Sequence, residues 1–299
     1  YILMILYIIY FLFTPVLWIF TIVLSLFFSK IRKNYFSFYS LLSIAKKQLL
    51  KYNPNNKKIL LFHAASSGEY EQLKPLLRLI DKKKYFIIQS FTSPTIYEKE
   101  KKSPLYDISC YHPFDFPWLS LYFFLTLKPD KYIITRHDVW PGHIVIANHL
   151  RISTYYINAN IHKNSIWLKN GMQSLSNYIF SNLTKIIVPS QEIANNLYKL
   201  QIANNSIIIS SDSRLDQVQY RKENKKHTKR LSDLFSHYDT TLFGSIDAKD
   251  EKIIFKSLKN IYPLGTIDLI NQKKYLIFIP HETDTKTIER LSTQLENLS

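Results

Sequence analysis

The amino-acid sequence predicts an α/β protein with a parallel sheet covered by helices on both faces, followed by a second and smaller α/β unit. Three observations lead to this prediction. Short apolar runs alternate with longer amphipathic segments along most of the chain, which is the pattern of strands joined by crossover helices. The same alternation resumes after a highly charged stretch at residues 221–230. Before all of it, residues 1–29 carry no charged side chain.

The uncharged N-terminal segment, residues 1–29, is predicted to be a membrane-anchoring helix. At about 1.5 Å per residue it is long enough to cross a hydrocarbon core of about 30 Å. It has neither the basic start nor the small-residue cleavage site of a signal peptide. Lys30, Arg32 and Lys33 follow it directly, which places the remaining chain on the cytoplasmic side. Because Pro15 lies in mid-segment, a kinked or shallowly inserted helix stays open beside a straight span.

Residues 30–56 are rich in aromatic and basic side chains and are predicted to form a juxtamembrane helix, broken by the Asn-Pro-Asn-Asn stretch at residues 53–56. Residues 57–216 are predicted to form the first α/β domain. Its predicted strands are Lys58–His63, Tyr85–Ser90, Asp107–Tyr111, Tyr132–Thr135, Thr154–Asn158, Lys185–Val188 and Ser206–Ser210. Its predicted helices are Glu69–Ile80, Thr95–Lys102, Trp118–Leu127, His143–His149, Trp167–Phe180 and Gln191–Leu200.

Residues 217–239 contain a highly charged run without an apolar face and are expected to be a linker. Residues 240–299 then form a partial second α/β domain. Its predicted strands are Leu242–Gly244 and Tyr275–Ile279, and its predicted helices are Asp250–Leu258 and Thr285–Leu298. Sheets usually have about four to six strands, so we expect this domain to continue beyond residue 299.

The composition narrows the class of partner. Lys and Arg number 39 against 23 Asp and Glu, which gives a formal charge of +16 and indicates nucleic acid, membrane lipid or a phosphorylated substrate. Hydrophobic residues at 46% exclude a disordered chain. The single cysteine, Cys110, excludes an intramolecular disulfide and a cysteine zinc site. The nine histidines show no paired ligand spacing, so neither a metal nor a cofactor is expected.

Familiar signatures are missing from the sequence. It contains no Walker A loop, no G-x-G-x-x-G, no H-E-x-x-H and no G-x-S-x-G. Its basic residues do not form an aromatic-interleaved nucleic-acid motif, so nucleic acid is not the expected partner. Five glycines stand where average usage of about 7% would give about twenty. Two explanations of this deficit stay open: the absence of a glycine-rich phosphate loop and the absence of a piece of the protein.

The most informative motif is HAASSGE, which runs from His63 to Glu69. A predicted strand ends at His63 and a helix begins near Glu69, which places Glu69 at the carboxyl edge of the sheet, where open α/β folds bind ligands. Helix N-termini also offer free N–H groups to anions, and this helix begins among Ser66, Ser67 and Gly68. Glu69 is a candidate general base. The alternative is structural, since Ser66 and Glu69 have the spacing of a capping box.

Two further stretches carry candidate binding residues. Arg136, His137 and Asp138 follow a predicted strand and are expected at the same edge as Glu69. Arg136 and His137 suit a phosphate or carboxylate, with Asp138 to orient them; the alternative is that Asp138 caps the next helix and pairs with Arg136. Arg214 lies in Ser-Arg-Leu-Asp at residues 213–216; it is a candidate anion ligand or one half of a surface Arg–Asp pair.

Taken together, the motifs resemble the Kdo transferases, which move 3-deoxy-D-manno-oct-2-ulosonic acid (Kdo) from CMP-Kdo onto lipid A precursors. The stretches that carry the resemblance occur in the same order here as in the family. They are the apolar N-terminus, HAASSGE, Phe91–Thr95, YHPFDFP at residues 111–117, the D-V-W-P that begins at Asp138, Ile157–Asn160, Val188–Ser190 and Ser213–Asp216.

The resemblance implies a two-domain GT-B fold, with the lipid on the N-terminal domain and the nucleotide on the C-terminal domain. It implies that Glu69 is the general base of an inverting transfer, that Asp138 is a second catalytic acid, and that no metal takes part. Together with the candidates named above, it gives the expected substrate contacts in both domains: Ser66, Ser67, Gly68, Arg136, Arg214, Ser245 and His281. The expected partners are CMP-Kdo, a lipid A precursor and the inner membrane, with the catalytic domains on its cytoplasmic face.

The sequence departs from the family at several positions. Arg136 stands where the family commonly has glutamate, Arg214 where lysine is common, and Ser211 where glycine is frequent. The arginine usually next to Pro280-His281 is missing, and the glycine-rich segment that completes the CMP site is expected beyond residue 299. Two other functions therefore stay open. One is a truncated, membrane-tethered module that binds lipid without turnover, and the other is a GT-B transferase that uses a different nucleotide sugar.

Overall fold

The computed structural model describes residues 2–224 and 237–297. The chain divides into two compact units, Tyr1–Arg221 and Lys222–Ser299. The first begins with two long helices, α1 (Ile2–Phe27) and α2 (Ser29–Tyr52). Both expected N-terminal helices are therefore present, and a single residue, Phe28, separates them.

The first unit contains a seven-stranded, fully parallel sheet. Its strands are β1 (Lys58–Ala64), β2 (Tyr85–Phe91), β3 (Ile108–Tyr111), β4 (Lys131–Thr135), β5 (Ser153–Ile157), β6 (Lys185–Val188) and β7 (Ile207–Ile209). The strands are ordered β3-β2-β1-β4-β5-β6-β7, and every pair is parallel. All seven predicted strands are confirmed, with ends that differ by at most one residue.

The connecting helices are α3 (Ser67–Leu79), α4 (Pro94–Glu100), α5 (Pro117–Leu127), α6 (Pro141–His149), α7 (Gln173–Ser181), α8 (Gln191–Tyr198) and α9 (Ser213–Glu223). The first six correspond to the predicted helices, whereas α9 was not predicted. The single helix expected at Trp167–Phe180 is wrong, because a 3-10 turn at Ile166–Leu168 precedes α7. Gly171 lies between them with φ of +86°, a left-handed conformation that interrupts a helix and that glycine adopts without strain.

The strand order places a topological switch point between β1 and β4. From β1 the chain runs outward to β2 and β3, returns to β4, and then continues outward through β5, β6 and β7. The helices after β1 and β4 therefore diverge at the carboxyl edge and leave a crevice, which is where open α/β sheets bind ligands. Glu69 follows β1 and Asp138 follows β4, so both candidate acids lie at this crevice.

Helix α2 is part of the core of the first unit on one of its faces. Phe38, Leu42, Ala45 and Leu49 recur every three or four residues and are buried, because that spacing aligns them on one side of the helix. They pack toward β3 and α5. The opposite face is exposed at Phe36, Tyr39 and Leu50 among others. The juxtamembrane helix thus has a structural role in the domain as well as an outer aromatic surface.

Helix α1 continues through Pro15 without a break. Proline has no N–H, so the carbonyl of Phe11 loses its usual intrahelical donor. The hydroxyl of Thr14 donates to that carbonyl at 2.6 Å and satisfies it. Residues Ile8–Phe27 have a mean hydropathy of 2.2 and are long and apolar enough to cross a membrane.

Helix α9 extends to Glu223, into the range 217–239 that the sequence analysis assigned to a linker. Two contacts attach the end of α9 to α3. Arg221 pairs with Glu71 at 2.7 Å, and Arg78 lies over the ring of Tyr220 at 3.7 Å. Residues 225–236 of the expected linker lie outside the described residues.

In its described residues, the second unit has two parallel strands, β8 (Asp239–Ile246) and β9 (Lys274–Pro280). Its helices there are α10 (Ala248–Ile261), α11 (Thr266–Asn271) and α12 (Thr285–Glu296). Ile246, Phe255 and Leu291 form a small core. The predicted strands and the two predicted helices are confirmed, whereas the short helix α11 had no clear periodic signal in the sequence.

The burial of α2 predicts that Leu42→Ala destabilises the first unit by about 2–5 kcal/mol, since it removes a fully buried side chain and leaves a cavity. Urea unfolding of the whole chain measures the change. Leu50→Ala is the matched control, because it makes the same substitution in the same helix at a side chain that is 72% exposed. Its effect is expected to stay within about 0.5 kcal/mol, and equal losses in the two variants would contradict the packing of α2.

Candidate active site

The turn between β1 and α3 is held by reciprocal hydrogen bonds between Ser66 and Glu69. The backbone N–H of Glu69 donates to Ser66 Oγ at 3.3 Å, and the N–H of Ser66 donates to Glu69 Oε2 at 3.0 Å. This is the capping box that the sequence spacing allowed. The structural interpretation of the motif is therefore correct, and the remaining question is what else Glu69 contacts.

Glu69 also shares a backbone donor with Asp138. The N–H of Ala65 donates to Glu69 Oε2 at 2.8 Å and to Asp138 Oδ2 at 3.0 Å. Both residues are 6% exposed, and the indole N–H of Trp140 donates to the other oxygen of Asp138 at 3.3 Å. The crevice at the switch point thus holds two adjacent carboxyl groups, which a helix cap alone does not require.

The proximity of the two acids changes their protonation. Burial and the adjacent charge of Asp138 together raise the pKa of Glu69 to about 7, while His63 opposes the change. Burial also raises the pKa of Asp138, against the hydrogen bonds that favour its ionised form. Because two adjacent carboxylates resist ionising together, the pair retains a proton near neutral pH. A carboxyl group with a pKa near the working pH suits general base catalysis.

Three buried histidines lie behind the acid pair. His63 Nε2 is 3.4 Å from Asp138 Oδ2, and burial lowers the pKa of His63 to about 3, so that its ring is neutral. Its ring stacks on His112 with centroids 3.8 Å apart, and His112 meets His143 edge to face. The sequence identified His63 only as a satisfied strand-end residue. The polar layer formed by the three rings could not be found from a spacing, because His63 lies in β1 while His112 and His143 come after β3 and β4.

Arg136 occupies a strained backbone position at the end of β4. Its φ is +58°, a left-handed value that is uncommon for a residue with a side chain. The backbone N–H of Arg136 donates to the carbonyl of Ile157 at 3.1 Å, and the carbonyl of Arg136 accepts from the hydroxyl of Tyr156. These bonds from β5 hold the turn, and strained turns of this kind concentrate at functional sites.

Gln72 brings the two candidate arginines together. In the amide orientation that satisfies its neighbours, the side-chain oxygen of Gln72 accepts from Arg136 Nη1 at 3.0 Å and from Arg214 Nε at 3.2 Å. Arg214 also pairs with Asp212 at 2.6 Å, so the surface ion pair expected as an alternative is present. Ser213 fixes this segment, because its hydroxyl donates to the Gln72 carbonyl at 2.7 Å. Gln72 was not a sequence candidate.

Ser66, Ser67 and Gly68 form the exposed rim of the site. Helix α3 begins at Ser67, so the N–H groups of Ser67 and Gly68 lie in the first turn, which has no intrahelical acceptors. A Cβ atom at Gly68 would meet only Ser66 Oγ, at 4.0 Å. The fold therefore does not need glycine at this position.

Ser245 and His281 lie together at the carboxyl edge of the two-stranded sheet in the second unit. Ser245 Oγ is 2.9 Å from His281 Nδ1, and the N–H of His281 donates to the carbonyl of Ile246 at 2.9 Å. Ser245 has a φ of +60° at an irregularity between Gly244 and Ile246. Both side chains are exposed.

Within residues 2–224 and 237–297, no group of three or more His, Cys, Asp or Glu side chains is arranged to hold a metal ion.

Comparison with known proteins identifies the family of the chain. Residues 41–217 match the family model described as 3-deoxy-D-manno-octulosonic-acid transferase (Kdo transferase). The match covers more than half of the chain, including Glu69, Asp138 and Arg214.

The chain belongs to the Kdo transferase family.

A family relative with a curated description is the 3-deoxy-D-manno-octulosonic acid transferase of Rickettsia bellii (strain RML369-C). It is 26% identical over 254 residues, which cover 83% of this chain and 56% of the relative. The chain thus spans little more than half the length of that Kdo transferase. The resemblance inferred from the sequence motifs is confirmed at the level of the family.

Solved structures support the GT-B-like fold at low sequence identity. The UDP-GlcNAc 2-epimerase from Methanocaldococcus jannaschii is 18% identical, with a TM-score of 0.54 over 81% of this chain and 69% of its own. The UDP-GlcNAc 2-epimerase from Neisseria meningitidis is 12% identical, with a TM-score of 0.57 over 81% and 70%. A glycosyltransferase from Rickettsia africae ESF-5 is 13% identical, with a TM-score of 0.50 over 81% and 65%. These likenesses show the fold alone.

The raised pKa of Glu69 predicts a pH-dependent cost to stability. The folded-state pKa of about 7 lies above the ordinary value of 4.5, so folding favours the protonated acid and stability falls as pH rises from 4.5 through 7. Glu69→Gln is therefore expected to be more stable than the parent chain at pH 8, by on the order of 2 kcal/mol, and to approach it at pH 5. Urea midpoints at the two pH values measure the difference.

Glu71→Gln is the matched control, two residues along the same helix. The pKa of Glu71 is lowered despite burial, because Lys74 donates a hydrogen bond to its carboxylate. Folding therefore favours the ionised form of Glu71, and this variant should lose stability relative to the parent as pH rises through the carboxyl range. The same pH trend in both glutamine variants would contradict the distinct environment of Glu69.

Proposed function

We propose that the protein transfers Kdo from CMP-Kdo to a lipid A precursor in lipopolysaccharide core synthesis, at the cytoplasmic face of the inner membrane. The observation that carries the proposal is the position of Glu69. It lies at the switch point of the sheet, its pKa is raised to about 7, and it shares the Ala65 N–H with Asp138. Membership of the family supports the same reaction.

In the proposed reaction Glu69 acts as the general base. Its carboxylate takes the proton from a glucosamine hydroxyl of the acceptor, and the resulting oxygen nucleophile attacks the anomeric carbon of Kdo. The new glycosidic bond forms as the bond to CMP breaks, and CMP leaves with that bonding electron pair. Attack opposite the leaving group inverts the anomeric configuration. A base with a pKa near 7 is ionised in a sufficient fraction at neutral pH and still binds the proton well.

Asp138 is proposed to act in catalysis through its negative charge beside Glu69. Its carboxylate makes Glu69 a stronger base, since a second negative charge nearby favours proton uptake. The hydrogen bonds from Ala65 and Trp140 keep Asp138 in place while Glu69 changes protonation. His63 stays neutral behind the pair, because burial opposes its charge.

The arginines and the helix N-terminus are proposed to bind substrate anions. Arg136 and Arg214 converge on Gln72 beside α3, and guanidinium groups suit the phosphates of the acceptor and the carboxylate of Kdo. Ser66, Ser67 and Gly68 offer small side chains and backbone N–H groups to the same substrates. On the second unit, Ser245 and His281 are proposed to contact the donor nucleotide.

The proposal predicts that Glu69→Ala lowers Kdo transfer by about 10²–10⁴-fold, which is the usual contribution of a general base. The rate of the parent chain is expected to rise with pH and to level off above about 7, because the base must be ionised. Asp138→Asn removes the adjacent charge, so the rise should move to lower pH. Transfer from CMP-Kdo to a lipid A precursor in detergent, measured from pH 5 to 9, tests all three expectations.

Glu71→Gln is the control for this assay as well, since Glu71 pairs with Lys74 and Arg221 away from Asp138. It should retain the parent rate and pH profile. Undiminished transfer by the Glu69→Ala variant would remove Glu69 from the base role.

Gly68 provides a separate prediction about the acceptor. Alanine at this position meets no atom closer than 4.0 Å and favours the helix by about 0.5–1 kcal/mol, so stability should be equal or higher. If the rim approaches the substrate closely, Gly68→Ala raises KM for the acceptor several-fold. Steady-state kinetics combined with a melting curve test this, and an unchanged KM would place the acceptor elsewhere.

A second candidate function is acceptor binding without turnover. The observation that favours it is that the acid pair and both arginines lie in the first unit. Binding of a lipid A precursor without detectable binding of CMP-Kdo would support it, whereas measurable turnover by residues 1–299 would exclude it. A thermal-shift panel of CMP, UDP and GDP sugars identifies the nucleotide, since a bound ligand stabilises the fold.

A further inference from the structure

Helix α1 has one face that is docked on the first unit. Tyr10, Thr14, Trp18 and Ser25 recur at helical spacing, and Thr14 and Ser25 are buried. The hydroxyl of Tyr10 donates to the carboxylate of Asp115, and Trp18 packs edge to face on Trp118 with centroids 6.2 Å apart. This face also packs against α2 and α7. Helix α1 is therefore attached to the domain along most of its described length.

Asp115, the partner of Tyr10, is a structural residue of the domain. Its two carboxylate oxygens accept from the N–H groups of Gly142 and His143 at 3.0 and 2.8 Å, and so cap α6. Its side chain is 5% exposed. A Cβ atom at residue 142 would lie 2.6 Å from Asp115 Oδ1, so glycine there lets the carboxylate approach. The end of α1 near Tyr10 is thus joined to the helix that follows Asp138.

The docked length conflicts with a transmembrane position for α1. Tyr10 and Ser25 are about 22 Å apart along a helix that rises 1.5 Å per residue, and a hydrocarbon core is about 30 Å thick. If α1 crossed the bilayer, the domain surfaces that contact Tyr10, Trp18 and Ser25 would have to enter the core with it. Burying a domain surface with Asp115 and loop backbone in hydrocarbon is strongly unfavourable.

The opposite face of α1 is apolar and exposed. The helical period aligns six of its exposed side chains along one line. They are Ile9, Leu12, Val16, Phe20, Val23 and Phe27, with exposures from 44% to 76%. An exposed apolar surface of this extent on a folded domain marks an interaction site.

The outer surfaces of α5 and α2 adjoin this face. Trp118, which contacts α1, begins a second apolar line on α5, and the line continues through Leu121, Tyr122 and Leu125, all at least 38% exposed. Tyr39 of α2 lies against Tyr122 with ring centroids 5.8 Å apart. We call the outward surfaces of α1, α2 and α5 the aromatic face. Aromatic rings of this kind are enriched where a membrane meets water.

The charges of the N-terminal region fit an anionic bilayer. No acidic residue occurs before Glu69. The charged side chains up to that point are all cationic: Lys30, Arg32, Lys33, Lys46, Lys47, Lys51, Lys57 and Lys58. Lys30 and Arg32 are exposed where α1 passes into α2. Apolar helices with adjacent cations bind anionic lipid surfaces by combining burial with electrostatic attraction.

We propose that α1 lies in the plane of an anionic bilayer interface together with the exposed surfaces of α2 and α5, and does not cross the membrane. The inference extends the membrane association of the proposed function by assigning the surface and the depth. The aromatic face then rests among the headgroups and upper acyl chains. Because Asp115 ties α1 to α6, the crevice between β1 and β4 is held at a fixed position relative to the aromatic face.

The experiment measures the depth of labels on the aromatic face. Single cysteines replace Leu12, Val16, Phe20 and Phe27 on α1 and Leu125 on α5, and each carries a nitroxide. The native Cys110 does not interfere, because it is fully buried and burial raises the pKa of its thiol to about 12. Lys83→Cys is the control, on an exposed loop at the amino edge of the sheet. The full chain binds vesicles of phosphatidylglycerol and phosphatidylcholine without acceptor or donor.

The four labels on α1 are expected at one depth within about 5 Å, close to the interface. The label at residue 125 should share that depth, and the label at residue 83 should remain in water. Replacing phosphatidylglycerol with phosphatidylcholine should weaken binding by at least about tenfold, because several cations lose their anionic partners. A steady change of about 22 Å from residue 12 to residue 27, as 1.5 Å per residue requires, would establish a span and overturn the inference.

Two other outcomes would also overturn it. Spin coupling between labels without vesicles, kept when vesicles are added, would show that a second copy covers the aromatic face. Labels that stay in water when the chain is mixed with vesicles would show that the face binds no lipid. Because no substrate is present, these outcomes are independent of Kdo transfer. Loss of transfer with equal label depths would contradict the proposed function and leave the membrane inference intact.

Discussion

The parallel pairing of β1 with β4 is the constraint on which the rest of the site depends. Leu61 pairs with Tyr132 and Phe62 with Ile133, so the two strands end together at the switch point. The turn after β1 then presents the Ala65 N–H to carboxylates that are 69 residues apart in sequence (Glu69 and Asp138). One backbone donor shared by two acids sets their separation. Without this pairing Glu69 would be an ordinary helix cap.

Burial of the acid pair raises the pKa of Glu69 and so makes it a stronger base. The acid pair lies between the strand ends and a layer of neutral histidines, which offers hydrogen-bonding groups without a full counter-charge. The ionised form of Glu69 is consequently disfavoured in the fold, and the protein loses some stability at neutral pH. The capping box reduces this cost, since Ser66 and Ala65 still donate to the carboxylate. The side chain of Glu69 is thus both part of the capping box and the candidate base.

Asp115 connects the chemistry to the proposed membrane position. It caps α6 and accepts from Tyr10 of α1. In the described structure, α6 begins three residues after Asp138. The distance from the aromatic face to the acid pair is therefore fixed by the contact of α1 with Asp115 and by the short connection from Asp138 to α6. For an enzyme proposed to act on a lipid headgroup, a fixed distance is useful, because the acceptor sugar lies at a definite height above the hydrocarbon.

The sequence by itself determined the order and type of nearly all elements, the family, and the candidate acids, because hydrophobic period, turn residues and motifs are local properties of the chain. The capping box could also be predicted from the spacing of Ser66 and Glu69. Only the tertiary structure decided that Asp138 shares a donor with Glu69, that Gln72 joins the two arginines, and that one face of α1 docks on the domain. These contacts join residues far apart in the chain, and strand order and side-chain burial create them.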